Sequence, residues 1–240
     1  MKRFIFDKNN LINNQFKIDG NEFNHLKNVM RIKVDDLITA VCFDEFDYIS
    51  KVIEIGKNYA VCEVLNKEKN IANPSKNVVI YQALLRNENL SVCVQKLTEL
   101  GCQGFIPFQS EFCTAKKTDT KHKKLQEISN QSIKQCGRSK PLEVGETLFF
   151  NEMLKQLEKY DLVVFANESE NNKMLSEIEF SNKNNIAIIV GCEGGFSPKE
   201  KDLLSLLNNV VSISLGKRIL RAETACLAIS ALVLNKIGEI

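Results

Sequence analysis

Short apolar segments separated by turn residues dominate the first 70 residues of the chain. Four of these segments are rich in aromatic and β-branched residues, which predicts β-strands. They are residues 4–6, 37–43, 48–55 and 59–65. Residues 56–58, Gly-Lys-Asn, predict a hairpin turn between the last two strands. Only residues 21–30 have apolar side chains at helical spacing. The pattern therefore predicts a small β-barrel with one short helix.

A different pattern begins after residues 70–77, a polar segment whose Asn73-Pro-Ser75 sequence favours a linker. Beyond it, apolar segments of strand length alternate with amphipathic segments of helical length, which is typical of a mostly parallel sheet covered by helices. The predicted strands are residues 78–85, 105–108, 162–166, 186–190 and 211–215. The predicted helices are residues 90–100, 117–136 and 222–236. We therefore expect an α/β domain after the small β domain.

The composition is that of an ordinary folded protein. The chain has 240 residues, 44% of them hydrophobic and 26% charged, which excludes a disordered or collagen-like chain. No charge-free segment reaches the roughly 20 residues that cross a bilayer. Asp7 and Lys8 interrupt the apolar stretch that a signal peptide needs. We therefore expect a cytoplasmic protein without a membrane span.

The eight cysteines do not form a metal-binding pattern. They contain no C-x-x-C motif, and the sequence has only two histidines, so neither structural zinc nor another metal is expected. Most of the cysteines lie inside apolar segments, which indicates small reduced core residues.

Basic residues are concentrated in the middle of the chain. Residues 71–141 hold 11 basic and 5 acidic side chains, although the net charge of the whole chain is only +2. The densest basic segment is residues 115–124. A local surplus of this kind favours contact with a polyanion. A solvated helix face would explain it equally well.

Two glycine turns follow predicted strands of the second domain. The first, Gly191-Cys-Glu-Gly-Gly195, leads into Ser197-Pro-Lys-Glu200, whose serine and glutamate have the spacing of a capping box. The second surrounds Gly216 and leads into a helix with Glu223 in its first turn. In open α/β sheets ligands bind at such turns, because glycine lets them approach the backbone. The spacing matches neither a dinucleotide-binding motif nor a Walker phosphate loop.

These turns resemble the C-terminal signature of the knotted SPOUT methyltransferases, and specifically the RsmE family of bacterial 16S rRNA uridine-N3 methyltransferases. The matching segments are residues 191–197 and 214–225. Three further blocks occur in the same order as in that family. They are His25-Leu26 with Val29-Met-Arg31, Gln95-Lys-Leu-Thr-Glu-Leu-Gly101, and Gln135-Cys-Gly-Arg138.

The resemblance implies a PUA-like RNA-binding β-barrel in residues 1–70, a linker in 71–77, and a SPOUT methyltransferase domain with a C-terminal trefoil knot in 78–240. It implies a homodimer that methylates N3 of uridine 1498 in the 16S rRNA of the small ribosomal subunit. S-adenosyl-L-methionine would lie in the knotted loops, which here are residues 165–168, 191–195 and 215–225. Its expected contacts are Asn167, Glu168, Gly191, Glu193, Gly194, Gly195, Leu215, Gly216, Ile219, Leu220, Thr224 and Ala225.

The last predicted helix has an apolar stripe whose role the sequence leaves open. Its members are Ala222, Ala225, Cys226, Ile229, Leu232 and Val233. The stripe would serve the dimer interface that the resemblance implies, or the core of its own chain.

Some positions depart from the family pattern. Cys192 stands where the family usually has proline, and Phe112 stands where an arginine is usual. Phe112 therefore puts in doubt any role of that arginine. We expect Cys192 to fill space rather than to react.

Methylation at N3 of uracil requires proton removal and charge stabilisation, and the resemblance suggests which residues would supply them. N3 is mostly protonated at neutral pH, so the proton must leave and the charge on the carbonyls must be stabilised. We expect Arg221 to stabilise this charge, with Arg138 of the other subunit as a second donor. Glu223 would act as the base or would orient another group. A purely structural role, in which Arg221 and Glu223 hold the loop, remains equally open.

The target uridine must be unpaired, because N3 lies on its pairing face. Most of the affinity would come from cations that contact phosphates. The expected RNA contacts are Lys2, Arg3 and Arg31 of the barrel, and Lys116, Lys117 and Lys121 of the basic segment. An ion pair within the barrel is the alternative for Arg31.

Two other functions are compatible with the sequence. One is a knotted methyltransferase that acts on a ribose 2′-hydroxyl or on another base, which the N-terminal barrel and the Met30-Arg31 block disfavour. The other is a ribosome-assembly factor that binds RNA without catalysis. Binding of S-adenosyl-L-methionine would exclude the assembly factor.

Overall fold

The computed structural model describes residues 2–170 and 173–240. Met1 and residues 171–172 fall inside the predicted domain ranges and lie outside the described residues. The chain divides into two compact units. The first comprises Met1–Asn73 and Gln131–Pro141, and the second comprises Pro74–Asn130 and Leu142–Ile240.

The first unit contains a five-stranded sheet. Its strands are β1 (Arg3–Ile5), β2 (Gln15–Asp19), β3 (Leu37–Val41), β4 (Phe46–Ile55) and β5 (Tyr59–Lys69). The strand order is β1-β3-β4-β5-β2, with β1 and β3 parallel and the other neighbours antiparallel. A short 3₁₀ turn, Lys8–Asn10, follows β1. The predicted hairpin of β4 and β5 is therefore present.

The predicted helix 21–30 is not one regular α-helix. Helix α1 (Gly20–Asn24) continues into one π-helical turn, His25–Val29. The wider turn ends where the Met30 amide donates to the His25 carbonyl at 2.9 Å. Helical spacing in the sequence therefore located the segment but not its geometry.

Strand β2 was not predicted from the sequence, because only two of its five residues, Phe16 and Ile18, are apolar. Both side chains are buried, while the three residues that alternate with them are exposed. The Phe16 ring stacks on Phe6 at 4.1 Å between ring centroids. Alternation over so few residues gives a weak signal, yet it places two large side chains in the core.

Residues 131–141 join the first unit through polar contacts with it. Lys134 forms an ion pair of 2.7 Å with Glu22, and the Asn70 side chain donates to the Gly137 carbonyl at 2.8 Å. The Ser139 amide donates to the Asn73 side chain at 3.1 Å. These contacts bind a segment of the α/β sequence region to the N-terminal sheet.

The second unit is an α/β structure. Its strands are β6 (Asn77–Ala83), β7 (Gly104–Gln109), β8 (Glu143–Val144), β9 (Leu148–Phe149), β10 (Leu162–Ala166), β11 (Asn185–Val190) and β12 (Val210–Ile213). Its helices are α2 (Asn87–Leu100), α3 (His122–Cys136), whose last six residues belong to the first unit, α4 (Phe150–Leu157), α5 (Pro198–Ser205) and α6 (Ala222–Lys236). Short 3₁₀ turns occur at Lys117–Asp119 and Leu175–Glu177.

All strand pairs of this second sheet are parallel, as the sequence pattern predicts. The strand order is β12-β10-β11-β6-β7-β8, and β9 also pairs with β7. The central strands β6, β10 and β11 are almost entirely buried, which explains their continuous apolar sequences. Because the strands are parallel, the loops that follow β10, β11 and β12 lie at one edge of the sheet.

Two predicted helices start elsewhere in the structure, and the first of them, 90–100, already begins at Asn87. The predicted helix 117–136 begins only at His122, after the separate 3₁₀ turn. The β-branched residues Thr118 and Thr120 have a low helix propensity, which disfavours a continuous helix through this segment. Helix α4 and the two-residue strands β8 and β9 were not predicted.

The apolar stripe of α6 belongs mainly to the core of its own chain. Cys226, Ile229 and Val233 are fully buried, and α6 packs against α2, β6 and β11. Leu232, which the sequence placed on the same stripe, is 50% exposed. The stripe is therefore narrower than predicted.

Candidate functional site

A cavity of about 550 Å³ lies at the edge of the second sheet where β10, β11 and β12 end. Three loops form its walls. We call them the asparagine loop (167–170), the glycine loop (191–195) and the arginine loop (214–221). Ala222 and Ala225 of α6 and the last residues of β10 and β11 complete the lining. The volume falls within the roughly 300–1,000 Å³ that is usual for small-molecule sites.

The glycine loop is closely packed from behind. A Cβ atom on Gly191 would lie 2.9 Å from the Phe196 ring, and one on Gly194 would lie 2.9 Å from the Phe112 Cβ. Gly195 has a φ of +69° and closes the turn by donating its amide to the Cys192 carbonyl at 3.0 Å. The wall needs glycine because larger residues would collide or be strained.

A capping box fixes the exit of the glycine loop into α5. The Ser197 hydroxyl accepts from the Glu200 amide at 3.3 Å, and the Glu200 carboxylate accepts from the Ser197 amide at 3.0 Å. The other oxygen of this buried carboxylate accepts from the Glu111 amide at 2.9 Å. The predicted capping box is therefore present, and it also ties the loop after β7 to α5.

The arginine loop is open to solvent. Gly216 has a φ of +102°, and a Cβ atom there would meet nothing within 4 Å. Ile219 is 96% exposed although it is large and apolar. Arg221 is exposed at the N-cap position of α6 and uses no side-chain capping bond. This wall therefore presents free surface to a ligand.

The asparagine loop places polar groups beside both other loops. The Asn167 side chain donates to the Ser212 hydroxyl at 3.1 Å, which joins the loop to β12. Glu168 forms an ion pair of 2.9 Å with Lys201 of α5. A Cβ atom on Gly195 would lie 2.6 Å from the Glu168 carboxylate. Glu168 therefore contacts the glycine loop directly.

Charges of both signs line the cavity. The acidic residues belong to the asparagine and glycine loops, and the basic residues belong to the arginine loop. The acidic group comprises Glu168, Glu170 and Glu193, and the basic group comprises Lys217, Arg218 and Arg221. Between them lie backbone and apolar groups. The arrangement suits a ligand that carries both a cationic and an anionic group around an apolar body.

The structure brings together 11 of the 12 residues that the sequence assigned to cofactor binding. They are Asn167, Glu168, Gly191, Glu193, Gly194, Gly195, Leu215, Gly216, Ile219, Leu220 and Ala225. Thr224 does not line the cavity and its side chain is exposed on α6.

The three expected catalytic residues lie in different places. Arg221 lines the cavity. Glu223 does not line it, and its carboxylate instead accepts a 3.4 Å hydrogen bond from the Asn89 side chain at the start of α2. Arg138 belongs to the first unit and is only 2% exposed.

Three lining residues were not expected from the sequence: Glu170, Val190 and Ser214. Val190 ends β11 and Ser214 follows β12, so the last residues of both predicted strands could have indicated them. Glu170 follows a strand without any glycine or capping motif. No local signal in the sequence marks it.

The expected RNA contacts of the second unit differ in exposure. Lys116 and Lys121 are exposed, and Lys116 borders a smaller cavity of about 320 Å³ with Arg86. Lys117 lies 3.7 Å from the Glu152 carboxylate and 4.6 Å from the centre of the Phe149 ring. Lys117 therefore has intramolecular partners that compete with a phosphate.

The expected RNA contacts of the first unit also differ. Arg3 binds Asp47 through two hydrogen bonds of 2.5 and 3.0 Å, and its side chain is 14% exposed. Lys2 donates to the Met30 carbonyl at 2.8 Å and is exposed. Arg31 is exposed with a φ of +50°, and the described residues offer it no ion pair. Arg3 therefore forms an ion pair within the first unit, whereas the ion pair expected as the alternative for Arg31 is not seen among the described residues.

In the part of the chain that the structure describes, no three His, Cys, Asp or Glu side chains are grouped as metal ligands. None of the described helices combines the length and the apolar character that crossing a membrane demands.

Comparisons with known proteins identify both units. The RNA methyltransferase domain family matches residues 72–234, and the RNA methyltransferase PUA domain family matches residues 18–65. The ribosomal RNA small subunit methyltransferase E of Bacillus subtilis is 33% identical over 230 residues, which cover 90% of this chain and 89% of the relative. The protein of the same name from Mesomycoplasma hyopneumoniae is 30% identical over 218 residues, with 89% and 91% covered.

A solved structure has the same fold. It is a ribosomal RNA small subunit methyltransferase E of Neisseria gonorrhoeae bound to S-adenosyl methionine, with a TM-score of 0.85, 24% identity, and 98% of this chain and 97% of that chain covered. The fold is therefore the expected α/β class, with an N-terminal PUA domain and the C-terminal parallel sheet of SPOUT methyltransferases. The chain belongs to the ribosomal RNA small subunit methyltransferase E family of RNA methyltransferases.

Proposed function

We propose that this protein transfers a methyl group from S-adenosyl-L-methionine to N3 of uridine 1498 in the 16S rRNA of the small ribosomal subunit. One observation carries the proposal beyond family membership. The chain folds three separate loops around one cavity, and these loops contain 10 of the 12 residues that the resemblance assigned to cofactor binding, while an eleventh, Ala225, lines the cavity from α6.

The residues of the cavity fit this cofactor. S-adenosyl-L-methionine has a cationic sulfonium, an amino group, a carboxylate and a largely apolar adenosine. Glu168 and Glu193 offer anions to the cations, and Arg218 offers a cation to the carboxylate. The backbone of Gly194 and Gly216 leaves room for close approach, because neither residue has a side chain on the cavity wall. When bound, the cofactor supplies an electrophilic methyl group.

Arg221 is the residue that we assign to charge stabilisation. It lines the cavity and its guanidinium is exposed, so it can donate to an oxygen of a base placed beside the methyl group. Uracil that has lost its N3 proton carries negative charge on its carbonyl oxygens. A donor aimed at that charge lowers the barrier to methylation.

We assign to Glu223 the positioning of Arg221 and not the removal of the N3 proton. Its carboxylate contacts Asn89 and lies outside the cavity lining. The contact joins the first turn of α6 to α2, which holds the neighbouring Arg221 in place.

The proposal includes the trefoil knot and the homodimer that the resemblance implies. In such a dimer Arg138 would have to reach the partner's site. Its 2% exposure weighs against this role, because the side chain would first have to leave its buried position. We therefore rest the mechanism on Arg221 alone.

RNA would bind through exposed cations. Lys116 and Lys121 are exposed candidates in the basic segment, and Lys117 lies 3.7 Å from the Glu152 carboxylate. Reversing the charge of Lys116 and Lys121 should weaken RNA binding and reduce the slope of log affinity against log salt by about one for each lost phosphate contact. An unchanged slope would show that these lysines do not contact phosphates and belong to the solvated surface.

The activity is tested by mass spectrometry of nucleosides from 16S rRNA. Cells that lack their own N3-uridine methyltransferase would express either this protein or its Arg221→Ala variant. We expect 3-methyluridine at position 1498 with the parent protein only. A 2′-O-methylated nucleoside instead, or no methylation by purified protein on small subunits or on free rRNA, would refute the proposed function.

A further inference from the structure

Two cysteines of the second unit lie within hydrogen-bond distance of the same hydroxyl group. Ser110 Oγ lies 3.2 Å from Cys113 Sγ and 3.8 Å from Cys192 Sγ. The Ser110 amide also lies 3.4 Å from Cys113 Sγ, and Cys192 Sγ lies 3.7 Å from the Gly195 carbonyl oxygen. Cys113 belongs to the loop after β7, and Cys192 belongs to the glycine loop after β11. Two sulfur atoms from distant parts of the sequence thus lie beside the same hydroxyl group.

The surroundings of this pair make Cys192 the more nucleophilic sulfur. The hydrogen bond from Cys113 lowers the pKa of Cys192 to about 6, against the opposing effect of burial, and the Gly194 amide adds a second donor. Donation to Cys192 and burial both raise the pKa of Cys113. Cys192 is therefore the sulfur of the pair that ionises more readily.

The charged groups near the two cysteines do not change which sulfur is the more nucleophilic. Glu193 is the nearest and raises the pKa of Cys192, but less than the hydrogen bonds lower it. Glu168 contacts Gly195 and is paired with Lys201. The Glu200 carboxylate on α5 accepts from backbone amides and stays outside the pair.

Access to the pair runs through the cavity. Cys192 is only 6% exposed, yet it lines the cavity wall, and Cys113 is half-buried beside it. Two other cysteines of the second unit, Cys93 and Cys226, provide a contrast. Both of their side chains are fully buried, and neither lines the cavity. Only the first pair is within reach of a small molecule in the cavity.

We propose that Cys113 and Cys192 form a dithiol modification site that reacts with small-molecule disulfides and closes to a disulfide bond across the cavity wall. The Cys192 thiolate attacks one sulfur of the small disulfide, whose S–S bond breaks and whose leaving thiolate takes a proton from solvent. Cys113 then loses its proton to solvent, and its sulfur attacks Cys192 Sγ and releases the second small thiol. Two protein thiols are oxidised, and one small disulfide is reduced to two thiols.

Closure of the disulfide should alter the cavity, and this consequence rests on the proposed function. The two loops already touch, because a Cβ on Gly194 would lie 2.9 Å from the Phe112 Cβ. The new bond would draw Cys192 toward Cys113 and away from the Gly194 amide. We expect the affinity for S-adenosyl-L-methionine to fall at least tenfold on oxidation and to return on reduction.

The test is peptide mapping after treatment of the folded protein with oxidised glutathione. We expect a disulfide between the peptides that contain Cys113 and Cys192. In the Cys113→Ser variant, glutathione should remain attached to Cys192, and in Cys192→Ala the modification should disappear. A Cys136→Ser variant serves as the matched control and should behave as the parent protein. Unmodified Cys192 in the parent protein, or a bond to another cysteine, would overturn the proposal.

Alkylation of Cys192 by iodoacetamide gives a second readout without disulfide formation. Its rate should rise through about pH 6 and then level off, whereas a free thiol continues to gain reactivity up to about pH 8.5. A rate that climbs only above pH 8 would contradict the thiolate. S-adenosyl-L-methionine should slow the reaction. If alkylation follows the expected pH profile and the cofactor gives no protection, the cofactor site is wrong while the dithiol site stands.

Discussion

The glycine loop and the arginine loop border the same cavity but differ in what supports them. The glycine loop packs on Phe112 and Phe196, and the buried Glu200 fixes its exit into α5. The arginine loop has open space beside Gly216 and carries an Ile219 that is 96% exposed. One wall is part of the folded core, and the other is surface.

Because of this difference, substitutions in the two walls should affect different properties of the protein. Residues of the packed wall are constrained by their neighbours, so substitutions there should change folding stability first. Residues of the open wall have few neighbours, so substitutions there should change binding or catalysis and leave stability nearly unchanged. Each expected outcome below tests one side of this comparison.

The largest effect is expected at Arg221 in the open wall. Arg221→Ala removes the proposed donor to the uracil carbonyls, and methylation of small subunits should fall about 10²–10³-fold in kcat. Folding stability and cofactor affinity should remain close to those of the parent protein. Lys236→Ala, at the other end of α6, is the control and should retain full activity. Near-normal methylation by Arg221→Ala would remove Arg221 from the mechanism.

The next effect is expected at Gly191 in the packed wall. Its added Cβ in Gly191→Ala would lie 2.9 Å from the Phe196 ring. That ring is buried against Phe165 at 5.0 Å between centroids and cannot easily move. We expect a loss of about 1–3 kcal/mol in the free energy of unfolding, measured in urea. Parent-like stability would show that the wall is less constrained than its packing indicates.

A smaller loss is expected at the capping box of α5. Ser197→Ala leaves the Glu200 amide without its side-chain acceptor. The free energy of unfolding should fall by about 1 kcal/mol. Ser205→Ala at the exposed end of the same helix, where the hydroxyl donates to the Asp202 carbonyl, should have a smaller effect. Equal losses in the two variants would argue against a specific role of the cap.

The smallest change in stability is expected at Ile219 in the open wall. Ile219→Ala removes a side chain that is almost fully exposed, so the free energy of unfolding should stay within about 0.5 kcal/mol. Affinity for S-adenosyl-L-methionine should fall, by less than tenfold, because apolar area is lost from the cavity lining. Titration calorimetry and urea unfolding measure the two quantities. A stability loss comparable with that of Gly191→Ala would abolish the distinction between the walls.

The sequence was most informative where an element contains many buried apolar residues. Strand β10 and helix α6 have the bounds that their apolar residues predict. Strand β2 was missed because half of its residues face solvent, and α3 begins later than expected because of the polar residues before it. Two-residue strands such as β8 carry no pattern at all, since their position depends on the neighbouring strand.

The cavity could be predicted from local signals, but the pairing of side chains around it could not. Glycine turns and a capping box mark two of the three loops. The contact of Glu223 with Asn89, and that of Cys113 with Cys192, join residues far apart in the sequence. Such contacts depend on the order of strands in the sheet, which no short segment of sequence determines.

Titration calorimetry of the purified, reduced protein with S-adenosyl-L-methionine tests the central claim most directly, because that claim is a cofactor site built from three loops. We predict one binding site per chain, with competition by S-adenosylhomocysteine and with binding retained in Arg221→Ala. A chain that is folded by circular dichroism but shows no saturable heat, or whose binding is unchanged when Gly194 is replaced by valine, would contradict the account.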